Sequence, residues 1–83
     1  MNEVEAVTAR AVAYAYEIVQ RTTDPYDGAK ALWAMEVDLE VLAEALRAFA
    51  GLASEWEDHP EHRAAYEQEI RVQADRLMAR FGR

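Results

Sequence analysis

Residues 32–52, LWAMEVDLEVLAEALRAFAGL, decide the fold. Large apolar residues recur in this stretch at alternating steps of three and four, which is the spacing of one helical face. They are Leu32, Met35, Leu39, Leu42, Leu46 and Phe49. No Gly or Pro interrupts the stretch before Gly51, which is a natural left-handed stop. The pattern therefore predicts one long helix, helix 2, over about residues 25–50.

Start signals on either side predict two more helices. Asp24-Pro25 offers a cap followed by a residue suited to the first helical position, so helix 2 begins there. Upstream, Asn2 as N-cap precedes apolar residues at helical spacing, which predicts helix 1 over about Glu3–Arg21. Downstream, Asp58-His59-Pro60-Glu61 repeats the start signal and predicts helix 3 over about Pro60–Arg80.

The three helices predict an all-α fold. No alternation of apolar and polar residues lasts long enough to indicate a strand. Near-equal helix lengths and short connections favour an up-down-up three-helix bundle with helix 2 at its centre. The connection after Gly51 is expected to hold a short helical turn over residues 53–58, because Ser54 and Glu57 have capping-box spacing. Residues 1–83 are expected to form a single helical domain.

Charge and composition exclude several functional classes. Sixteen acidic residues against nine basic ones give a net charge of −7. A nucleic-acid binder needs a cationic surface, and anionic lipid would repel this chain, so neither is an expected partner. No apolar run approaches the ~20 residues that span a bilayer, and the first residues lack the basic start of a signal peptide. A cytoplasmic location is expected, and the absence of cysteine excludes disulfides and thiolate zinc sites.

The predicted helix 2 has more apolar surface than a small three-helix bundle can cover. Its polar residues fall within about 80° of its circumference, and apolar side chains line both flanks. Either helix 2 is buried between the other two helices, or the surplus surface contacts another chain. We expect the second arrangement, with a homodimer or another protein as partner. The expected interaction residues are Trp33, Val37, Asp38, Val41 and Trp56.

Asp38 breaks the apolar pattern of helix 2. On a continuous helix it projects among apolar neighbours, where an unpaired charge is strongly destabilising. The sequence therefore predicts an arginine partner from another helix or subunit, or an opening of the bundle to water. A second interpretation is a functional acid that faces a pocket or a partner's basic residue.

Residues 55–62 concentrate the polar groups of the chain. Carboxylates and imidazoles within eight residues supply donor types that bind divalent metals. The candidate ligands are Glu55, Asp58, His59 and His62. Their spacing matches no Glu-x-x-His, HExxH or calcium-loop pattern. The competing interpretation, which we favour, is a capped helix start with surface histidines.

A second acidic row on helix 2 consists of Glu36, Glu40 and Glu44. Four-residue spacing places them on one helical face, as in the carboxylate rows with which helical NTP pyrophosphatases hold magnesium. The same row is expected of any solvated helix stripe, and the paired acidic motifs of that enzyme family are absent. Ser54 is the only serine, and no phosphate-binding glycine loop occurs. The sequence does not look like an enzyme, and no cofactor is expected.

Two segments resemble small, uncharacterised helical proteins of GC-rich, actinobacterial-type genomes. One is residues 24–29 with Leu32-Trp33, and the other is residues 51–58 with residues 60–63. The resemblance brings no assigned activity. It implies that these segments do more than connect helices, although an up-down-up bundle places them at opposite ends.

The sequence thus favours a protein-interaction or regulatory module that acts as a homodimer or with a protein partner. One concrete form is an acidic protein that masks a basic surface on its partner. The alternative is a divalent-metal-binding or metal-dependent hydrolytic protein that uses residues 55–62 or the row Glu36, Glu40 and Glu44.

Overall fold

A computed structural model describes residues 2–82 and shows four α-helices where three were predicted. Helix α1 spans Glu3–Val19, α2 spans Pro25–Trp33, α3 spans Glu40–Asp58 and α4 spans Arg63–Phe81. A single 3₁₀ turn, Pro60–His62, joins α3 to α4. The described residues contain no strand. The all-α prediction is therefore confirmed, whereas the three-helix up-down-up architecture is wrong.

The correction lies in predicted helix 2, which is two helices separated by residues 34–39. Both α2 and α3 carry apolar residues at helical spacing, so their patterns join into one apparent row. Leu32 of α2 and Leu42 of α3 are fully buried, whereas Leu39 between them is exposed. Helix propensity contributes little stability compared with tertiary packing. The packing gained when α2 folds back onto α3 therefore stabilises the chain more than the helical hydrogen bonds that are lost in the connection.

The far end of predicted helix 2 also differs. Gly51 lies inside α3, and no glycine among residues 2–82 has a positive φ. The helix continues to Asp58, so the separate turn predicted over residues 53–58 is part of α3. Pro60 follows the helix, because it has no N–H to continue the hydrogen-bond ladder.

The predicted helix starts are largely confirmed. The Asn2 side chain accepts a hydrogen bond from the Glu5 N–H at 2.8 Å, and Asp24 accepts one from the Asp27 N–H at 3.4 Å. Pro25 occupies the first turn of α2. The 3₁₀ turn at Pro60 begins at the position predicted for the last helix. Local cap chemistry therefore placed the starts of α1 and α2 correctly, whereas no side chain caps the turn at Pro60.

The four helices run up-down-up-down. Helix α1 packs against α4 and α2, and α3 packs against α2 and α4. Among residues 2–82, the side chains buried in the core between them are all apolar. It contains Ala11, Ala15, Ile18, Ala29, Leu32, Leu42, Leu46, Phe49, Ala53, Ile70, Ala74 and Leu77. Among the described helices, none is apolar over a length that would cross a bilayer.

The two ends of this bundle differ, and they carry the candidate sites. At one end lie the start of α1, the end of α2, the start of α3 and the end of α4. At the other end, the start of α2 meets the end of α3 and the start of α4. Asp38 lies in the connection at the first end and is exposed, so the predicted apolar surroundings do not form around it.

Candidate functional site

The connection between α2 and α3 exposes an unusual amount of apolar surface. Trp33 is 53% exposed, Val41 41% and Leu39 37%, and all three fall within nine consecutive residues. Val37, in the same segment, is half-buried. We call Trp33, Val37 and Leu39 the apolar end. A cluster of large exposed apolar side chains is a common mark of an interaction surface.

Two grooves meet at Val37. One lies beside α1 and is lined mainly by Val4, Val7, Val37, Leu39 and Leu42. The other lies between α2 and α3 and is lined by Trp33, Met35, Val37, Ala43, Leu46, Arg47 and Ala50. Both grooves have apolar floors that continue into the core. The apolar end is therefore a recessed surface that a partner side chain can enter.

The border of the apolar end is acidic. Glu3, Glu36 and Asp38 line the groove beside α1, and all three are exposed. Glu40 follows immediately and pairs with Arg47 at 3.5 Å, with both side chains largely solvated. An exposed pair of this kind contributes little stability. The surface thus combines an apolar centre with a negative border.

The opposite end is closed by aromatic stacking. The Tyr26 ring lies parallel to the Trp56 ring with their centroids 4.0 Å apart. The Arg63 guanidinium lies 3.8 Å from the Trp56 ring centroid, so the indole is held between Tyr26 and Arg63. Lys30 lies 5.2 Å from the Tyr26 ring centroid. We call Tyr26, Trp56 and Arg63 the aromatic cluster, which joins α2, α3 and α4 through stacking and cation–π contacts.

The polar atoms of the aromatic cluster are hydrogen-bonded. The Trp56 Nε1–H donates to Glu67 at 3.0 Å, and the Arg63 Nε–H donates to the Trp56 carbonyl at 3.2 Å. The Tyr26 hydroxyl donates to Glu57. This hydrogen bond raises the pKa of Tyr26, because ionisation would remove the donor beside a carboxylate. These contacts are typical of a structural closure, and they leave Trp56 half-buried.

The acidic and histidine residues of the predicted metal site lie at the same end. His59 approaches Glu55 at 3.4 Å and Glu61 at 3.5 Å, and His62 lies 3.9 Å from Glu61. The N–H of Glu61 and the neighbouring histidines lower the pKa of that carboxyl. Within residues 2–82, no three His, Asp or Glu side chains converge as a metal site requires. Of the four predicted ligands, the structure pairs only Glu55 with His59.

Tyr66 adds a further contact to this segment. Its hydroxyl donates to Glu55 at 3.3 Å, and its ring centroid lies 6.2 Å from that of His59. Burial, together with the bond to Glu55, raises the pKa of Tyr66. Residues 55–66 are therefore held together by hydrogen bonds and ring contacts between α3 and α4.

The predicted carboxylate row does not form on one helix. Glu36 lies in the connection between α2 and α3, whereas Glu40 and Glu44 lie on α3. All three are exposed, and Glu40 pairs with Arg47. Only Glu40 and Glu44 keep the four-residue helical spacing.

The division of predicted helix 2 brings together the two segments on which the resemblance depends. On a continuous helix Tyr26 and Trp56 lie at opposite ends, but in the hairpin of α2 and α3 they stack. Sequence reasoning missed this contact because no Gly or Pro marks the connection. Four of the expected interaction residues do share one region, namely Trp33, Val37, Asp38 and Val41. Trp56 lies at the other end of the bundle.

Comparison of the chain with protein-family models, with curated proteins and with solved structures finds no match. The functional interpretation therefore depends on the geometry described above.

Proposed function

We propose that this protein is a binding module for another protein, which docks on the apolar end. The observation that carries the proposal is the exposure of Trp33 on the groove between α2 and α3, which meets the groove beside α1 at Val37. Tryptophan is enriched among the residues that dominate binding energy at protein interfaces. An exposed indole beside a groove gives a partner both a large contact area and a recess to fill.

The charge of the border indicates the chemistry of that partner. Glu3, Glu36 and Asp38 line the groove beside α1, and no basic residue among residues 2–82 lines it with them. A partner surface with an apolar centre and a basic border complements this arrangement, which favours fast and specific association. A second copy docked by the same face across a two-fold axis would bring acids against acids. The border therefore favours a different protein at this face.

The test compares two equally exposed aromatic residues. Trp33 and Tyr16 are each 53% exposed, but Tyr16 lies on α1 outside the apolar end. An aromatic photocrosslinking amino acid, p-benzoylphenylalanine, replaces Trp33 or Tyr16 so that a large aromatic side chain is kept, and the protein is irradiated inside its own cells. We expect one discrete crosslinked protein from position 33 and none from position 16. Equal and diffuse crosslinking from both positions would contradict the proposal.

A charge variant then tests the border. Glu36→Lys with Asp38→Lys should abolish the crosslink from position 33, because the border becomes positive. The control, Glu17→Lys, changes an exposed acid on α1 and should preserve the crosslink. Retention of the crosslink in the border variant would show that the partner does not recognise the acids.

A further inference from the structure

A third groove lies between α3 and α4 and differs in charge from the apolar end. Its residues are Glu44, Ala45, Ala48, Gln73, Arg76, Leu77, Arg80 and Phe81. The floor is apolar, since Leu77 is buried and Phe81 packs against the core. Ala45 and Ala48 have short side chains, so a helix can approach α3 closely here.

Two arginines form one wall of this groove. Arg76 and Arg80 are one helical turn apart on α4 and are both exposed. Among residues 2–82, no carboxylate oxygen lies within 4.0 Å of either guanidinium. In a chain with a net charge of −7, this pair is a local positive site. Arginines arranged in this way favour carboxylates presented at the same spacing.

The first turns of α3 carry two carboxylates with this spacing of one helical turn. Glu40 and Glu44 are also one turn apart, and both are exposed. Between them stands Val41, which is 41% exposed. The pair of Glu40 with Arg47 spans 3.5 Å between solvated side chains and is easily exchanged. This ridge therefore combines two carboxylates with one apolar side chain.

The ridge and the groove match when a two-fold axis passes at the level of Glu44, so that each of the two Glu44 carboxylates near the axis is balanced by Arg80 of the other copy. Helices α3 and α4 run antiparallel, so Arg80 lies near the level of Glu44, and Arg76 lies near that of Ala48. A second α3 that runs antiparallel to the first places its own Glu44 near Arg80 and its own Glu40 near Arg76. Four residues of helix rise about 6 Å, so the distance along the axis from Glu40 to Glu44 equals that from Arg76 to Arg80. Val41 of the second copy then faces the apolar floor.

We infer that two copies of this chain associate through this face, with the Glu40–Glu44 ridge of each copy seated in the α3–α4 groove of the other. A two-fold axis makes every contact occur twice, which gives four pairs of opposite charge. The dimer uses Glu40 at the border of the apolar end but leaves Trp33, Val37 and Leu39 free for a different protein. It uses other residues than Trp33, so the inference does not rest on the proposed function.

Charge reversal on each side of the interface tests this pairing. Variant A carries Glu40→Arg and Glu44→Arg, and variant B carries Arg76→Glu and Arg80→Glu. Each variant alone faces like charges at all four contacts, so we expect its dimer to dissociate about tenfold or more readily than wild type. An equimolar mixture of A and B restores opposite charges at every contact and should give a heterodimer. Sedimentation equilibrium at low ionic strength measures wild type, A, B and the mixture.

The controls separate pairing from net charge and from folding. Glu17→Arg with Asp75→Arg changes net charge as variant A does. Asp75 lies on the side of α4 opposite the groove at about 100° per residue, and we expect a wild-type dimer. Far-UV circular dichroism checks that each variant is folded. A monomeric wild type, an unaffected dimer in A or B, or a mixture of A and B that stays monomeric would each overturn the inference. Loss of the dimer in Trp33→Ala would instead place the second copy on the apolar end.

Discussion

Tyr26 in the first turn of α2 and Trp56 in the last turn of α3 stack with their ring centroids 4.0 Å apart. The contact requires the chain to reverse between α2 and α3. It also brings Arg63 of α4 onto the other face of the indole. One indole therefore fixes the relative positions of three helices at this end. The other end has no equivalent closure among the described residues, and its apolar side chains stay exposed.

The two tryptophans should differ in their effect on stability. Trp56→Ala removes the stack, the cation–π contact and the hydrogen bond to Glu67, so we expect a loss of about 2–3 kcal/mol in the free energy of unfolding. Trp33→Ala, at an exposed position, should change it by about 0.5 kcal/mol or less. Urea denaturation followed by circular dichroism at 222 nm measures both. Equal losses would show that the aromatic cluster does not hold the helices together.

Stability at alkaline pH should depend on Tyr26. Its hydrogen bond to Glu57 raises the pKa of the phenol in the folded state above the ordinary value near 10. The bond therefore contributes fully to the free energy of unfolding below pH 10. This contribution is lost as the pH rises through the raised pKa of Tyr26 in the folded state. We expect Tyr26→Phe to lose stability less steeply than wild type above pH 10. Tyr66, whose pKa is also raised, is present in both proteins and cancels in the comparison.

Chemical denaturation at a series of pH values measures this slope. The matched control is Tyr16→Phe, which removes an exposed hydroxyl on α1 and should keep the wild-type slope. Identical slopes for Tyr26→Phe and wild type would mean that the hydrogen bond to Glu57 does not persist in solution.

Local signals in the sequence placed most of the helix starts. Asn2, Asp24 and Pro25 act through groups within three residues of themselves, so their effect is readable from the chain alone. The division of predicted helix 2 is different, because it depends on packing between residues far apart in sequence. Leu32 and Leu42 satisfy the same helical spacing whether they share one helix or face each other from two. Periodicity cannot distinguish those cases.

The site predictions depended on that division. Trp33, Val37, Asp38 and Val41 are close in sequence, so they stay together in either architecture. Trp56 was predicted in the turn after helix 2, at the opposite end from Trp33, and at that end of the structure it stacks on Tyr26. The row of Glu36, Glu40 and Glu44 required one continuous helix. It does not form, because Glu36 lies in the connection before α3 begins. The assignment of the neighbouring residues to an interaction surface stays a prediction.

A distance measurement distinguishes one helix from two. The chain has no cysteine, so Asp27→Cys with Asp58→Cys allows two spin labels at exposed positions. A continuous helix would separate these residues by about 45 Å at 1.5 Å per residue. The hairpin brings them to the same end, so we expect a much shorter distance by pulsed electron paramagnetic resonance. A single population near the long distance would contradict the α2–α3 hairpin.

Gly28 should tolerate no side chain. It is buried in α2, and a Cβ atom there would lie 2.5 Å from Ile18 Cγ1 and 2.8 Å from Ile18 Cδ1. Ile18 is itself fully buried, so it cannot move aside without disturbing the core. We expect Gly28→Ala to reduce the free energy of unfolding by about 1–3 kcal/mol. Urea denaturation measures the change, and an unchanged stability would show that α1 and α2 are not packed this closely.

Gly51 should respond in the opposite direction. It is exposed in the interior of α3 without positive φ, and a Cβ atom there would meet nothing within 4 Å. Alanine loses less backbone entropy on folding than glycine and forms helix more readily, so we expect Gly51→Ala to stabilise the protein by about 0.5–1 kcal/mol. If Gly51 instead ended a helix in the left-handed conformation, as its position after Ala50 suggested, alanine would be strained and destabilising. The sign of this one change in urea denaturation therefore decides whether α3 ends at residue 50 or continues to Asp58.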